Sequence, residues 1–360
     1  MEAARKLAIQ HSLSQLLRMV YITAAIGKPI FWKEGVMMRG KKIVLYLVIA
    51  LILFSFSPWA GLCWAADFPT KPIKVLVGFS PGGTTDLIAR AVAGVAPEFL
   101  GQSLVVINKP GASGTLAAKE AADADPDGYT LIIVGGSETV SVGHFKKLSY
   151  HPIDSFAPVI RFVKARMIIC FSAKAPWKNF QEFVKDAKKN PGKYKYASSG
   201  HGGIYHAALL AMCYRTGIKM KHVPYKGGSP GLAALMGGHV DAAIGSDAEI
   251  WPLVQGGKIK PVALTSLDRS PVLKDVPTLK ELGYDVYLEN QKGFAAPAKT
   301  PKERIAFLHD AFKKTYGHPA FVKLAEKLKL ELSYMGPDEF QKALQGMYGQ
   351  IGEVVKSMGE

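Results

Sequence analysis

Four short turns rich in glycine, serine and threonine carry the residues that could do chemistry in this sequence. Each turn follows an apolar, strand-like run and precedes a helix-like segment, at residues 80–86, 110–115, 198–203 and 227–230. A helix N-terminus offers unpaired backbone N–H groups and the positive end of the helix dipole, and glycines let a ligand oxygen approach that backbone. One such turn alone is ordinary capping chemistry, but four at one crevice would bind an anion, most simply a carboxylate.

Nucleotide and hydrolase motifs do not fit these turns. Residues 79–86 (FSPGGTTD) lack the Gly-Lys-Ser/Thr end of a P-loop, and no strand is followed by G-x-G-x-x-G. Residues 227–231 match G-x-S-x-G, but Pro230 stands where the oxyanion hole needs a backbone N–H. We therefore interpret Ser229 as a helix N-cap and Pro230 as the first helical residue, and we predict no catalytic residue.

Histidines and cysteines are the candidate metal ligands of this sequence. His201, His206 and His222 are near one another in the sequence, but they show none of the usual zinc spacings. The prediction is therefore no metal site and no cofactor. Cys170 and Cys213 are predicted to be buried free thiols, and a disulfide between them stays open because an oxidising compartment would allow it.

Short strands and amphipathic helices alternate along the chain after residue 67. Strands are predicted at residues 73–79, 104–108, 129–134, 159–163, 167–172, 196–199, 221–224, 240–244 and 261–265. Helices are predicted at residues 87–100, 116–124, 180–189, 204–216 and 231–236, and the last sixty residues are predicted to be helical. This alternation indicates mostly parallel sheets covered on both faces, with a ligand crevice outside the carboxyl ends of the strands.

The order of elements predicts two lobes. The first comprises residues 67–165 and 290–360, and the second comprises residues 166–289, with residues 291–297 as the crossing that returns the chain to the first lobe.

The N-terminal region reads as an export signal. Basic residues 38–42 precede an uncharged run at 43–56, then Ser57-Pro58 and small residues around Ala65. This order predicts a signal peptide over residues 38–65, which leaves residues 1–37 as an upstream mis-start and implies a periplasmic protein. An uncleaved membrane anchor over residues 43–66 and a lipidated Cys63 stay open as alternatives.

Composition and charge exclude several classes of protein. Hydrophobic residues make up 48% of the chain and charged residues 21%, which excludes wholesale disorder. Three cysteines cannot form a disulfide framework. The formal net charge of +16 favours the approach of anions, but the charges do not form runs, so we predict no nucleic-acid partner.

Short segments in a consistent order carry a resemblance that covers essentially the whole chain after the signal peptide. They include residues 68–73 (FPTKPI), 79–86 (FSPGGTTD), 108–112 (NKPGA), 126–131 (PDGYTL), 222–227 (HVPYKG) and 296–301 (APAKTP). With these segments the chain resembles the Bug (TctC-like) family of extracytoplasmic receptors for tripartite tricarboxylate transporters. The resemblance implies an α/β type II periplasmic-binding-protein fold, with a ligand cleft between two lobes and no catalysis.

The resemblance also implies the partners and the ligand contacts. The partners would be a small organic acid or amino acid and the integral membrane subunits of a transporter, and the receptor would be a monomer. Carried over by position, the ligand-binding residues are Phe79, Ser80, Pro81, Gly82, Gly83, Thr84, Thr85, Asp86, Ser137, Glu138, Ser198, Ser199, Gly200, His201, His206, Tyr225, Lys226 and Ser246.

One departure from the family pattern bears on the ligand. Glu138 stands where members of the family usually carry a small residue. If its carboxylate faces the cleft, it would repel the far end of a dicarboxylate and could pair with an amine, which favours an amino acid or another compound with a polar or cationic tail. The alternative is a solvated or lysine-paired Glu138. Two other functions stay open: a ligand sensor without its own transporter, and a hydrolase that uses the same cleft.

Overall fold

The computed structural model describes residues 68–359, which form two mixed sheets flanked by helices. The predicted signal peptide, the upstream segment and Cys63 lie outside the described residues. Strands β1 to β11 span Ile73–Val77, Leu104–Asn108, Thr130–Val134, Phe156–Ala165, Ile168–Ser172, Lys195–Ser198, Lys221–Pro224, Ala242–Gly245, Ile259–Leu264, Asn290–Pro297 and Glu331–Met335. Helices α1 to α10 span Thr84–Ala93, Pro97–Leu100, Thr115–Asp123, Phe180–Lys189, Ile204–Thr216, Gly228–Met236, Asp247–Gln255, Lys302–Gly317, Pro319–Lys327 and Pro337–Ser357.

The first sheet has six strands in the order β11-β4-β10-β3-β1-β2. β1 pairs in parallel with β2 and β3, so that Val75 lies opposite both Val106 and Leu131. β10 runs antiparallel between β3 and β4 and is buried along its whole length. The second sheet has five strands in the order β7-β6-β8-β5-β9, with β5 antiparallel to both of its neighbours.

The sheets therefore differ from the mostly parallel ones that the sequence predicts. β4, β5, β9, β10 and β11 make only antiparallel pairs with other strands, and β4 and β10 are the strands of the first sheet from which the chain leaves for the second sheet and to which it returns. The predicted return crossing at residues 291–297 is an internal strand, β10. The last sixty residues are not all helical, since β11 adds an edge strand beside β4.

Local sequence explains why several helices begin and end where they do. α4 begins after Asn179, whose side chain accepts a hydrogen bond of 2.9 Å from the Glu182 amide. α5 ends at Gly217, which adopts the left-handed conformation (φ 72°) that closes a helix without a steric penalty. Both helices have the bounds predicted from the sequence.

The strands of the first sheet come from residues 73–165 and 290–335, and those of the second from residues 168–264. We call these sheets with their helices the first and second lobes, and the lobe boundaries predicted above remain a proposal. The first lobe packs around an aromatic cluster of Phe162, Phe294, Phe312 and Phe321. Each fully buried side chain of this kind stabilises the fold by about 1.5–3 kcal/mol.

Helix α10 contributes to a core that includes side chains from both sheets. Phe340, Leu344, Ile351 and Val355 on one face of α10 are buried in the same cluster as Leu76 of the first sheet and Ile169 of the second. Over residues 68–359, no helix has both the length and the apolar content needed to cross a membrane.

Cys170 and Cys213 are both buried and unbridged in the described structure. Cys170 lies in strand β5 and Cys213 in helix α5. Burial raises the pKa of the Cys213 thiol to about 12. The prediction of buried free thiols is confirmed, and the structure does not contain the alternative disulfide.

Candidate functional site

A small cavity of about 20 Å³ lies between the two lobes, and the first turns of four helices line it. Thr84 begins α1 on the first lobe. Ile204 begins α5, Gly228 begins α6 and Glu249 lies in the first turn of α7, all on the second lobe. The remaining lining residues are Phe79, Gly83, Thr85, Ser137, Ser199, Tyr205, Asn290 and Lys292. Helix N-termini of both lobes therefore face one small space, where their dipoles favour negative charge.

Hydrogen bonds join the two lobes around this cavity. The hydroxyl of Thr84 lies 2.5 Å from Ser246 Oγ and donates to Glu249 Oε2 at 2.7 Å. The amide of Ile204 donates to Ser137 Oγ at 3.0 Å. Because each of these contacts joins residues of opposite lobes, the structure is a closed arrangement of the two lobes.

Two further contacts lie on the same interlobe boundary. The Ser80 amide donates to the Lys226 carbonyl at 3.1 Å, and Ser113 Oγ donates to the His201 carbonyl at 2.7 Å. The predicted turn at residues 110–115 thus contacts the other lobe without lining the cavity.

One lysine lies in this cavity between two carboxylates. Lys292 on β10 is only 2% exposed and lines the cavity together with Glu249. Burial lowers the pKa of Lys292, and the negative charges of Glu138 and Glu249 oppose that shift. A Cβ on Gly136 would lie 2.3 Å from Lys292 Nζ, so glycine at this position makes room for the ammonium group.

Glu249 accepts hydrogen bonds from both lobes and from its own helix. Besides Thr84, its Oε2 receives the hydroxyl of Tyr205 at 3.1 Å and the amide of Ser246 at 3.0 Å. A Cβ on Gly228 would come within 2.3 Å of Glu249 Oε1. The carboxylate is therefore held in one position at the cavity wall by hydrogen bonds and close packing.

Glu138 lies beside Lys292 and is not among the residues that line the cavity. It is 2% exposed, within a π-helical turn at Ser137–Ser141, and its Oε1 accepts the Gly136 amide at 3.2 Å. Its other oxygen, Oε2, is buried without a hydrogen-bond partner among the described residues, and the negative charge of the carboxylate acts on Lys292.

Asp86 maintains the shape of the first-lobe loop. Its carboxylate accepts the Gly82 amide at 2.9 Å, Asn108 Nδ2 at 2.9 Å and Arg90 Nε at 3.0 Å. Burial by itself would raise the pKa of Asp86, but the hydrogen bonds from Arg90, Gly82 and Asn108 outweigh burial and hold the pKa below its usual value. These contacts give Asp86 a positioning role.

Other predicted ligand residues lie outside the cavity lining. Lys226 has an exposed side chain and meets the first lobe through its backbone carbonyl, while Tyr225 packs against the apolar core of the second lobe. Pro81 and Gly82 are exposed at the tip of their loop. Six of the predicted residues line the cavity, namely Phe79, Gly83, Thr84, Thr85, Ser137 and Ser199.

Three histidines, from the turn at residues 198–203, helix α5 and strand β7, lie together. His206 is buried, His222 is half-buried and His201 is exposed, and the ring centroids of His206 and His222 are 4.0 Å apart. Burial and the neighbouring histidines lower the pKa of His206 to about 3 and that of His222 to about 4. Both rings are therefore neutral at pH 7.

The interpretation of Ser229 as a helix cap is wrong. Helix α6 begins at Gly228 with Gly227 as its N-cap, so Ser229 and Pro230 lie inside the first turn. Ser229 Oγ is buried without a hydrogen-bond partner among the described residues, and so is Asn290 Oδ1 at the cavity. Gly83, which lines the cavity, lies close to Ser229, since a Cβ on it would be 3.5 Å from Ser229 Oγ.

Comparison with known proteins identifies the family. A model of the tripartite tricarboxylate transporter family receptor matches residues 88–360. A Cupriavidus necator protein named "UPF0065 protein in gbd 5'region" is 34% identical over 296 residues, which cover 82% of this chain and 90% of that protein. This chain belongs to the tripartite tricarboxylate transporter receptor family.

Solved structures share the fold of this receptor. The periplasmic binding protein BugD is 30% identical, with a TM-score of 0.77 over 81% of this chain and 99% of that one. MatC from Rhodopseudomonas palustris with bound malate is 29% identical, with a TM-score of 0.76 over 80% of this chain and 100% of that one. These matches confirm the predicted two-lobed periplasmic-binding-protein fold and the predicted receptor family.

Sequence reasoning missed several residues that line the receptor's cavity. Glu249 lies in helix α7, which the sequence analysis does not predict. Lys292 lies in the predicted crossing at residues 291–297, and Asn290 lies just before that crossing, on the same strand. A lysine inside the otherwise uncharged run NQKGFAAP was the available signal, because a charge in a buried strand needs a specific partner.

Proposed function

We propose that this receptor captures a small carboxylate between its two lobes outside the cytoplasm and delivers it, chemically unchanged, to the membrane subunits of a tripartite tricarboxylate-type transporter. The observation that carries the proposal is the convergence of helix N-termini from both lobes on one cavity. Backbone N–H groups at such termini bind an anion without needing an arginine.

Buried polar groups around the cavity support a ligand that carries both charge and hydrogen-bonding groups. Lys292 offers an ammonium group beside the helix termini, and charge-assisted hydrogen bonds to a carboxylate are about twice as strong as neutral ones. Asn290 Oδ1 is an acceptor without a partner in the described residues, so it suits a hydroxyl or amine of the ligand.

Ligand binding to both lobes explains how capture could signal to a transporter. A ligand that contacts α1 of the first lobe and also the N-termini of α5, α6 and α7 of the second lobe is bound more tightly when the lobes are closed. Such a ligand shifts the population toward the closed state. The transporter would then recognise the surface that closure creates. Export through the signal peptide predicted at residues 38–65 places the receptor where this capture takes place.

Titration calorimetry on the purified protein would test the proposal. The ligand panel contains malate, succinate and adipate as dicarboxylates, with aspartate and glutamate as amino acids. Native mass spectrometry of the same preparation would identify any co-purified acid. We expect saturable, one-to-one binding of at least one of these acids and unchanged ligand after prolonged incubation.

Two results would overturn the proposal. One is the absence of binding to all carboxylates in the panel and of any co-purified acid. The other is steady conversion of a bound carboxylate into product, which would favour an enzyme. Tight binding of a dicarboxylate that is unaffected by Glu138→Gln would discard only the narrower amino-acid hypothesis.

A further inference from the structure

Three histidines from three different elements of the second lobe meet at one place. His201 lies in the loop after β6, His206 in the first turn of α5 and His222 in β7. One ring nitrogen from each lies within 4.8 Å of the others. None of the three is among the residues that line the carboxylate cavity.

Three imidazoles in this arrangement match the ligand set of an open zinc site. Zinc bound by three histidines keeps a fourth position for water or another ligand, with Zn–N distances of about 2.0–2.1 Å. Such bonds require ring nitrogens about 3.4 Å apart in tetrahedral geometry, so the present spacing needs only a modest inward movement. His201 is exposed and lies on a loop, so its side chain can make that movement.

Neighbouring groups are arranged as they are around metal-bound histidines. Ser198 Oγ lies 2.7 Å from His222 Nε2 and can donate to the Gly200 carbonyl at 3.1 Å. Outer partners of this kind determine which ring nitrogen carries the proton and which is free for a metal. The Gly202 amide lies 3.2 Å from His206 Nδ1, a long contact that a metal bond would replace.

Aromatic rings pack against the cluster and limit the orientations of the imidazoles. Tyr196 stacks on His222 with ring centroids 5.1 Å apart, and Phe145 of the first lobe lies 5.4 Å from His206.

We propose that His201, His206 and His222 form a binding site for a divalent transition-metal ion, most simply Zn²⁺, with an open fourth position. Imidazole nitrogens suit zinc, nickel and copper, whereas magnesium and calcium require oxygen ligands. The ion would join a loop, a helix and a strand of the second lobe at the interlobe boundary. This inference is independent of the carboxylate ligand proposed above.

Metal titration of the tag-free protein, stripped with a chelator, tests the site directly. Zn²⁺ binding is followed by calorimetry, and Co²⁺ binding by the visible absorption of four-coordinate cobalt. We expect one equivalent of either ion. His201→Gln and His222→Gln should each weaken binding by about 100-fold or more, while His239→Gln, an exposed histidine of the same lobe, should leave it unchanged.

Circular dichroism reports whether each variant is folded. His201 is exposed, so we expect His201→Gln to fold even if His222→Gln does not, and the test then rests on His201→Gln. The proposal is overturned if the wild-type protein takes up neither ion at micromolar concentration. It is equally overturned if folded His201→Gln binds both ions as tightly as the wild type, or if His239→Gln weakens binding to the same extent.

Discussion

At the scale of single residues, the cavity contains buried charged side chains, and burial of a charge is unfavourable unless an opposite charge is near. Lys292 is enclosed in a space where an unpaired ammonium group would be unstable, and it persists because Glu138 and Glu249 face it. A carboxylate ligand would add a further negative partner. Charge compensation therefore connects the stability of this site to its proposed function.

Replacing Lys292 should separate these two roles. In Lys292→Met the affinity for the carboxylate bound in titrations should fall by about 10- to 100-fold, because a charge-assisted hydrogen bond contributes roughly 1.5–3 kcal/mol. Calorimetry measures this change. Lys299→Met, at an exposed position of the same segment, is the control. Unaltered affinity in folded Lys292→Met would show that the ammonium group does not contact the ligand.

Asp86 predicts a pH-dependent stability. Its pKa is lowered in the folded protein, so its stabilising contribution is fully present above the ordinary aspartate pKa of 3.8 and is lost as the pH falls through the folded value. Asp86→Asn should lower the free energy of unfolding by about 1–3 kcal/mol at pH 7. The difference from wild type should shrink below pH 4, as measured by urea unfolding.

Asp154→Asn provides the comparison for that measurement, because the Asp154 side chain is 73% exposed. It should change stability little at either pH. A gap between wild type and Asp86→Asn that stays constant down to pH 3 would argue against the ionised carboxylate as the cause.

At the scale of elements, strand β10 determines how closely helix α10 approaches the first sheet. A Cβ at Gly293 would lie 2.3 Å from both the Ile160 carbonyl oxygen and a ring carbon of Phe340. No larger residue fits without moving either the neighbouring strand or the helix. This close approach places Asn290 and Lys292, on the same strand, at the cavity.

Gly293→Ala should therefore destabilise the protein by roughly 1–3 kcal/mol through overpacking. Gly349→Ala, on the exposed side of α10 with no atom near the added methyl group, should instead be neutral or stabilise by up to about 1 kcal/mol. Chemical denaturation of both variants gives the comparison. Equal effects of the two substitutions would contradict the close-packing explanation.

At the scale of the whole molecule, the interlobe hydrogen bonds describe the closed state that a ligand would select. Thr84 contributes most directly, because its hydroxyl contacts Ser246 and Glu249 of the other lobe. A ligand that favours this state should also protect the fold against unfolding, since it binds the native protein and not the unfolded chain.

A saturating carboxylate at about 100 times its Kd should raise the free energy of unfolding by about 2.7 kcal/mol, and small-angle scattering should show a smaller radius of gyration. Thr84→Val should weaken both effects, because it removes hydrogen bonds made only on closure. Thr315→Val, a buried hydroxyl of α8 remote from the cleft, serves as control. A radius unchanged by ligand would contradict closure.

Much of this receptor follows from local sequence. The alternation of apolar runs with glycine turns predicted β2, α4, α5 and β7 with their observed bounds, because strand and helix periodicities and caps are local properties. The same turns predicted an anion site at helix N-termini, and the family resemblance indicated the fold. Six of the ligand residues that the resemblance implies line the cavity.

Tertiary structure alone decided the rest. Strand direction, the central place of β10, and the meeting of Lys292 with Glu138 and Glu249 depend on how distant segments pack. Sequence spacing also could not predict the histidine cluster. Its three histidines come from a loop, a helix and a strand, whereas the usual zinc spacings describe ligands within one local motif. Residue types and local periodicity determine what each segment can offer, and long-range packing determines which of those groups meet.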